Sequence, residues 1–478
     1  MAETPLKMME RLYQKLQRRS QKIRKWSDYF EGKHPLLFAS PEFSTQTGDL
    51  FDGFSDNWCR TITHATAERL RPLAFRLEDG SIDKAAERAW KRSGCHVEVN
   101  LALLEALISG RSFALVWKPD GVGTEITFEK PTTAVVEYVP GRRRLRAAGL
   151  KVWTDHDLEF ATLFTPSMVY RWQRLRAGSG GVWTGRTAGL SRGEASHVPN
   201  PLKVVPLVEL PNLTRLGASP VSELAPVIPL QNAINALWAH AMTASDERAL
   251  PARVVLGMDR PVREIIDPDS GEVVGEEDEP LAKFRSDRLL WLERQGASIA
   301  EFSAADLRGF LDLITQAVEH IAAQTRTPAI YLNKKLINIP ESAVSADESG
   351  LVAKAYERQD HFGAGLQEVM RLEALAAGEP KRAESLSLGS VVWRDPHFRT
   401  EVQFADSLVK LKSIGVPDEA LWERIPGVTH DVIERWKRMR DDQAGAILGG
   451  NVAALYGPKP AEDHQGDDEP ANELLDAA

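Results

Sequence analysis

Apolar residues between Leu6 and Phe30 recur every three or four positions, at Leu6, Met9, Leu12, Tyr13, Leu16, Ile23, Trp26 and Phe30. That period is one stripe of an α-helix, and Gly32 and Pro35 end it. The opposite side carries Lys7, Arg11, Lys15, Arg18, Arg19, Lys22 and Lys25. Such a row reads first as the solvated or subunit-contact face of a packed helix, and second as a basic arm for nucleic acid. Residues 56–70 and Val97–Ile108 repeat the helical period, and the latter ends at Gly110. SFALVWKPDG then reads as a buried strand closed by a Pro-Asp-Gly turn, and residues 124–175 hold a series of short alternating segments from ITFEKP to MVYRWQRL. Helices that cluster before the strands, rather than alternating with them, predict an α+β fold. Residues 177–201, rich in Gly, Ser and Arg, predict a mobile loop.

Past VPLVELPN, the stretch Pro229–Ala249 places Leu230, Ile234, Leu237, Trp238, Ala241 and Met242 on one helical face, with Pro229 suited to a first turn and Pro251 forcing a stop. A different texture follows. PARVVLG, RPVREII, EVVG, RLLWLE and SIAEF read as strands, with DPDSG as a turn, and Met258–Asp287 holds ten acidic residues against four basic ones. A second helix closes this acidic β insertion, with Leu307, Phe310, Leu311, Ile314, Ala317, Val318 and Ile321 as its stripe, Ser303 and Asp306 as a capping box, and Pro328 beyond its end. The loop YLNKKLINIP carries Lys334 and Lys335, and a long helix is predicted from Ser345, boxed with Glu348, towards Gly378. VVWRDP and VQFADSLVKL read as strand then helix, and VPDEALWERI and HDVIERWKRMRDD as two short helices. After Leu455 the chain is acidic and too poor in apolar residues to fold alone, so a disordered tail is expected.

Composition narrows the function classes. The 478 residues, 43% hydrophobic and 27% charged, suffice for about three folding units. A formal charge of -9 and a pI near 5.8 argue against a protein built to clamp nucleic acid with an overall basic surface. Two cysteines, Cys59 and Cys95, rule against a disulfide framework or a cysteine-built zinc site and point to a reducing compartment. The amino-terminal run lacks the apolar core of a signal peptide, and no stretch approaches about 20 uninterrupted apolar residues, so a soluble, unexported chain without membrane contact is expected.

The chemistry-bearing motifs are missing. There is no G-x-x-x-x-G-K-[ST] phosphate cradle, no H-E-x-x-H and no G-x-S-x-G. His96 and Glu98 form an H-x-E without the P-C-x-x-C partner that zinc deaminases require. Asp267, Asp269 and Gly271 only faintly echo a calcium loop and read as a hairpin turn. His156 between Asp155 and Asp157 reads as surface or core histidine, and Trp117, Trp238 and Trp291 as core or interface rather than base-stacking platforms. No catalytic residue, metal site or cofactor is expected.

Several runs taken together do resemble a known family. They are YFEGKHPL (Tyr29–Leu36), SDNWCR (Ser55–Arg60) with AERL ending at Leu70, ALISGRSFALVW (Ala106–Trp117), GASPVSE (Gly217–Glu223) and VIPLQNAIN (Val227–Asn235). PARVVLG (Pro251–Gly257), the stretch from Ile321 through TRTPAIYL to Leu332 and SGLVAKAYERQ (Ser349–Gln359) complete the series. In order and spacing across roughly residues 25–375, they resemble the portal, or head-to-tail connector, proteins of tailed bacteriophages, in the siphophage branch.

The resemblance implies a portal fold: wing over 1–228, two-helix stem at 229–250 and 303–326, inserted α/β clip at 251–302, and a channel loop at 327–341 holding Lys334 and Lys335. A long helix and wing return would occupy 342–409, a helical crown 410–456 and the disordered acidic tail 457–478. It further implies a ring, a dodecamer, at one capsid vertex of the virion, assembled in the host cytoplasm. Its implied partners are the terminase large subunit, the major capsid and scaffolding proteins, a head-completion adaptor, and double-stranded DNA passing transiently through the channel. Lys334 and Lys335 would then make sparse phosphate contacts in that channel, with solvated loop lysines as the plain alternative. Two other readings stand beside this one: a DNA-processing enzyme with a divergent metal site, and a different phage head or tail structural protein.

Overall fold

The amino-terminal stripe forms a helix, α1 (Pro5–Glu31), with Pro5 in its first turn and Gly32 ending it in the left-handed region at φ 85°. The computed structural model describes residues 3–35, 54–118, 123–176, 181–189, 195–213, 215–249, 306–332, 341–397, 401–425, 428 and 432–444, with short backbone segments between 250 and 305. Lys334 and Lys335, the DPDSG residues 267–270, SIAEF and the tail at 457–478 lie outside them.

After α1 come α2 (Trp58–Ala67), β1 (Pro72–Arg76), α3 (Lys84–Arg92) and α4 (Cys95–Ser109). The strands β2 (Arg111–Trp117), β3 (Glu125–Glu129), β4 (Ala134–Val139), β5 (Arg142–Asp155), β6 (Leu158–Phe164) and β7 (Met168–Leu175) follow, then β8 (Thr184–Gly185), β9 (His197–Pro199) and β10 (Leu207–Pro211). The helix α5 (Ile228–Ala249) leads to β11 (Arg253–Leu256), β12 (Val262–Ile266), β13 (Val273–Asp278) and β14 (Leu289–Leu292), and α6 (Leu307–Thr325) leads back. The remainder is α7 (Ala329–Leu332), α8 (Glu341–Ala377), α9 (Pro380–Leu388), β15 (Ser390–Trp393), α10 (Glu401–Ser413) and α11 (Asp418–Trp422). The mixture is α+β, as its pattern predicts.

The chain divides into two compact units, Met1–His397 and Phe398–Ala478. In the first, β4 to β8 form an antiparallel sheet in sequence order with β9 beside β7, while β2 lies between β10 and β3 in a second sheet. Phe113, Leu115, Val136, Phe164 and Leu207 fill the space between these two sheets. The long helix α8 packs Phe362, Leu366 and Met370 against Leu103 and Leu107 of α4 and Leu210 of β10. The first half of α1 lays Met9, Leu12 and Leu16 on Val135, Leu150 and Leu163 of the larger sheet. Its second half sends Ile23, Trp26 and Tyr29 into a separate core with Ile62, Ile234, Val318 and Ile321. At 1.5 Å per residue a helix of 27 residues is about 40 Å long, enough to strap one core to the other. In the second unit, α11 and the helical residues 432–444 meet through an edge contact between Trp422 and Trp436.

Several expectations change. The buried ring near the end of α1 is Tyr29, with Phe30 only packed against the edge of the core, and Ser20 fills the gap in the stripe by donating its hydroxyl to Leu16 O at 2.9 Å. On the basic side of α1 two of the cations are engaged: Arg11 bridges Glu3 and Glu137, and the half-buried Arg19 donates to the carbonyls of Pro131 and Ala134. Burial pulls the Arg19 guanidinium down to about 10, with Arg111 nearby adding to the effect. The predicted mobile loop at 177–201 contributes β8 and β9 to the sheet, because Trp183 is buried against Tyr13 and demands fixed backbone around it. At α6 the cap is Asp306 itself, accepting from Arg308 N at 3.0 Å, and Ser303 lies outside the described residues. The long helix α8 starts at Glu341, not Ser345, and the Glu348 carboxylate is spent on Arg69 at 3.0 Å instead of closing a capping box.

Candidate functional site

Two antiparallel helices, α5 and α6, carry the acidic β insertion between them, and the loop at 333–340 leaves from just past α6. Within the insertion β11 pairs in parallel with β14 and encloses the β12–β13 hairpin, whose turn contains Gly271 at φ 72°. The side chains at the base of this helical pair are therefore the ones that fix the two helices from which these segments depart.

On α5 three amides, Gln231, Asn232 and Asn235, are almost fully buried. A buried amide costs free energy unless its polar atoms are matched, and here partners come from two distant segments, 29–34 and 56–58. Gln231 Oε1 accepts from Trp58 N at 2.9 Å and its Nε2 donates to Asp56 O at 2.5 Å. Asn235 Oδ1 accepts from Asp56 N at 3.2 Å, and Tyr29 donates its hydroxyl to Asn232 Oδ1 at 2.7 Å. The Asp56 carboxylate receives the indole N–H of both Trp58 and Trp238, at 3.0 and 3.1 Å. His34 sits at the edge, its Nε2 2.7 Å from Tyr29 O and its Nδ1 2.9 Å from Asn235 Nδ2. A carbonyl only accepts, so Nε2 carries the proton and Nδ1 accepts from the amide. Burial lowers the affinity of His34 for a second proton, in keeping with that neutral form.

A second node holds the far end of α6. The Glu223 side chain is 9% exposed; its Oε2 lies 2.9 Å from Lys354 Nζ, while Oε1 takes Arg358 Nη2 at 2.7 Å and Arg358 Nε at 2.8 Å. Burial alone would raise the Glu223 carboxyl, but the two cations outweigh it and hold it down at about 2. The same burial weakens the basicity of Lys354, which Glu223 restores in part. Lys354 also donates to Thr325 O at 3.1 Å, in the last turn of α6, and Asn212 Nδ2 donates to Glu223 Oε1 at 3.2 Å. Beside it Arg69 bridges Glu348 at 3.0 Å and Tyr331 OH at 2.9 Å, and Asp347 accepts from Ala329 N at 3.1 Å. The helices on either side of residues 333–340 are thus anchored: α7 is tied to α8 through Asp347, and Arg69 reaches both.

The runs that carry the family resemblance are the runs that meet here. Tyr29 and His34, Asp56 and Trp58, and Gln231 to Asn235 build the first node; Glu223, Thr325, Lys354 and Arg358 build the second. Sequence periodicity misses them, since it scores α5 for its apolar face. Three amides within five residues of the otherwise apolar first half of α5 were the available signal. The other candidates do not assemble into a site: His156 contacts Asp155 at 2.8 Å on an exposed turn, and among the described residues no group of three or more His, Cys, Asp or Glu is placed to hold a metal. Trp117 tilts onto Phe164 at the edge of a core, and Trp238 serves the first node.

Residues 9–446 match the family model described as phage portal protein, SPP1 Gp6-like. The portal protein of Mycobacterium phage L5 is 31% identical over 412 residues, covering 82% of this chain and 79% of its own, and that of Mycobacterium phage D29 is 30% identical over the same extent. Among solved structures, a chain from the virion of a native gene transfer agent particle is similar at 12% identity, covering 75% of this chain and 86% of its own, with a TM-score of 0.36. A chain from the neck of an empty gene transfer agent particle gives 13% identity, 76% and 87% coverage, and a TM-score of 0.37.

Proposed function

The chain belongs to the SPP1 Gp6-like phage portal family, and from that premise we propose that it forms a ring of about twelve subunits at one capsid vertex, through which the genome is packaged and ejected. Family membership makes it a structural component of a bacteriophage virion and removes both the enzyme reading and that of another head or tail protein. The observation that carries the proposal is the base of the helical pair: α5 and α6, about 33 and 28 Å long, are fixed at one end by two buried polar nodes and present a β insertion at the other. A rigid stem with a projecting module suits docking of successive partners. In this reading α5 and α6 are the stem and 251–302 the clip, which binds the terminase large subunit during packaging and a head-completion adaptor afterwards. The wing meets the capsid and scaffolding proteins during assembly in the host cytoplasm.

Twelve copies at -9 each give the ring on the order of a hundred negative charges, a field that repels DNA and so lets it slide. Lys334 and Lys335, in the channel loop of this reading, touch passing phosphates. Electron microscopy of the assembled particle should show a ring with a central hole at a single vertex; copies spread over the whole capsid would refute the proposal. K334A/K335A should lower packaged DNA while rings still assemble, and normal packaging would sink the channel role of these lysines.

A further inference from the structure

A cleft of about 690 Å³ opens where the β4–β5 hairpin, β10 and α8 meet. Its floor is apolar, with Val204, Val205, Val208 and Pro211, and α8 closes it at Gly365, where a Cβ would stand 2.4 Å from Leu210 Cδ2. Its rim is cationic: Arg143, Arg144, Arg146, Lys203 and Arg371 stand against two carboxylates, Glu209 and Glu368. Both carboxylates are already engaged. Glu368 Oε1 accepts from Arg146 at 2.5 Å and from Arg371 at 2.7 Å, and Glu209 takes Arg111 at 2.5 Å and the Tyr138 hydroxyl at 3.1 Å. Arg143, Arg144 and Lys203 are exposed and, among the described residues, have no carboxylate partner. In a chain of net charge -9 this is a local reversal of sign over an apolar trough.

We infer that the cleft docks an acidic, leucine-bearing peptide segment of a second protein. Carboxylates of such a segment match the planar guanidinium forks of Arg143 and Arg144, and its apolar side chains cover the valines between them. A DNA duplex displays its phosphates on a convex surface and has little to bury on that floor. Arg146 and Arg371, locked on Glu368, keep the wall of the cleft fixed before the segment arrives, which spares the cost of ordering it. The inference uses none of the residues assigned to the channel.

The test uses the full chain and a fluorescein-labelled peptide of repeating Glu-Leu-Asp-Leu, followed by anisotropy at low salt. Binding should weaken at least about tenfold in R143E/R144E, whose changes are at exposed positions and should leave the circular dichroism spectrum unaltered. A peptide of glutamates alone should bind at least about tenfold more weakly than the leucine-bearing one. Absence of binding, equal binding by R143E/R144E, equal binding of the all-glutamate peptide, or a DNA duplex binding as tightly at the same site would each overturn the inference. So would self-association of the wild type that R143E/R144E abolishes, because the occupant would then be a second copy of the chain.

Discussion

Replacing Glu223 by Gln keeps the shape of the side chain and one accepting oxygen but removes the charge that balances Lys354 and Arg358. Both cations are 3% exposed, so neither can turn to water. Two routes give the size of the effect. Removing one partner of a buried ion pair costs about 3–5 kcal/mol, because the other charge stays buried and uncompensated. Independently, a carboxyl held at about 2 in the folded chain, against an ordinary value of 4.5, corresponds to about 3 kcal/mol of stabilisation. The sign follows from the downward shift: this contribution is complete above about pH 4.5 and fades as the pH falls towards 2. Urea unfolding followed by tryptophan fluorescence should therefore place E223Q about 3 kcal/mol below the wild type at pH 7, with the gap closing between pH 4.5 and 2.5. E223L/K354M/R358M, which removes all three charges together, should recover much of the loss. A gap under about 0.5 kcal/mol at pH 7, or one that persists unchanged to pH 2.5, would refute the reasoning.

Other predictions test the same architecture elsewhere. G110A should destabilise by more than about 1 kcal/mol in the same assay, since Gly110 sits at φ 82° and a Cβ there would lie 3.0 Å from Pro220 O. Y29F leaves Asn232 Oδ1 without its donor at 2.7 Å inside the first node and should cost about 1–3 kcal/mol by denaturant titration. Burial pushes both thiols, Cys59 and Cys95, up to about 12, so iodoacetamide at pH 8 should leave the folded chain unmodified by mass spectrometry and alkylate both on unfolding.

How far the sequence alone reached depended on the range of the interaction. Period and punctuation are local, so α1, α4, the paired helices α5 and α6 and the strands β4 to β7 were legible from apolar spacing and from Gly32, Gly110 and Pro229. Pairing between distant segments left no local trace: β1 joins β15 across more than three hundred residues, and PLAFR by itself is too short to announce a strand. The Gly- and Ser-rich segment around Trp183 looked mobile because its order comes from one indole buried against Tyr13, not from its own composition. The capping box at Ser345 failed for a related reason: a short motif says what a side chain is able to cap, while tertiary partners such as Arg69 decide where Glu348 goes. The polar nodes were the costliest omission, since amides on an apolar helix look like noise until Asp56, Trp58 and Tyr29 are brought to them.

The pairing of β1 with β15 also sets a timetable. Pro72–Arg76 and the helix α4 leave the ribosome early, but Ser390–Trp393 and the Phe362–Met370 stretch of α8 that completes their core are made more than 250 residues later. At about 5–20 residues per second that interval lasts on the order of tens of seconds. During it the apolar faces of α4 and β2 have only part of their final cover, so the nascent chain must be shielded by chaperones or by provisional contacts until its last strand arrives. A truncation before Ser390 would thus forfeit the closing step of the whole first unit, not merely its final strand.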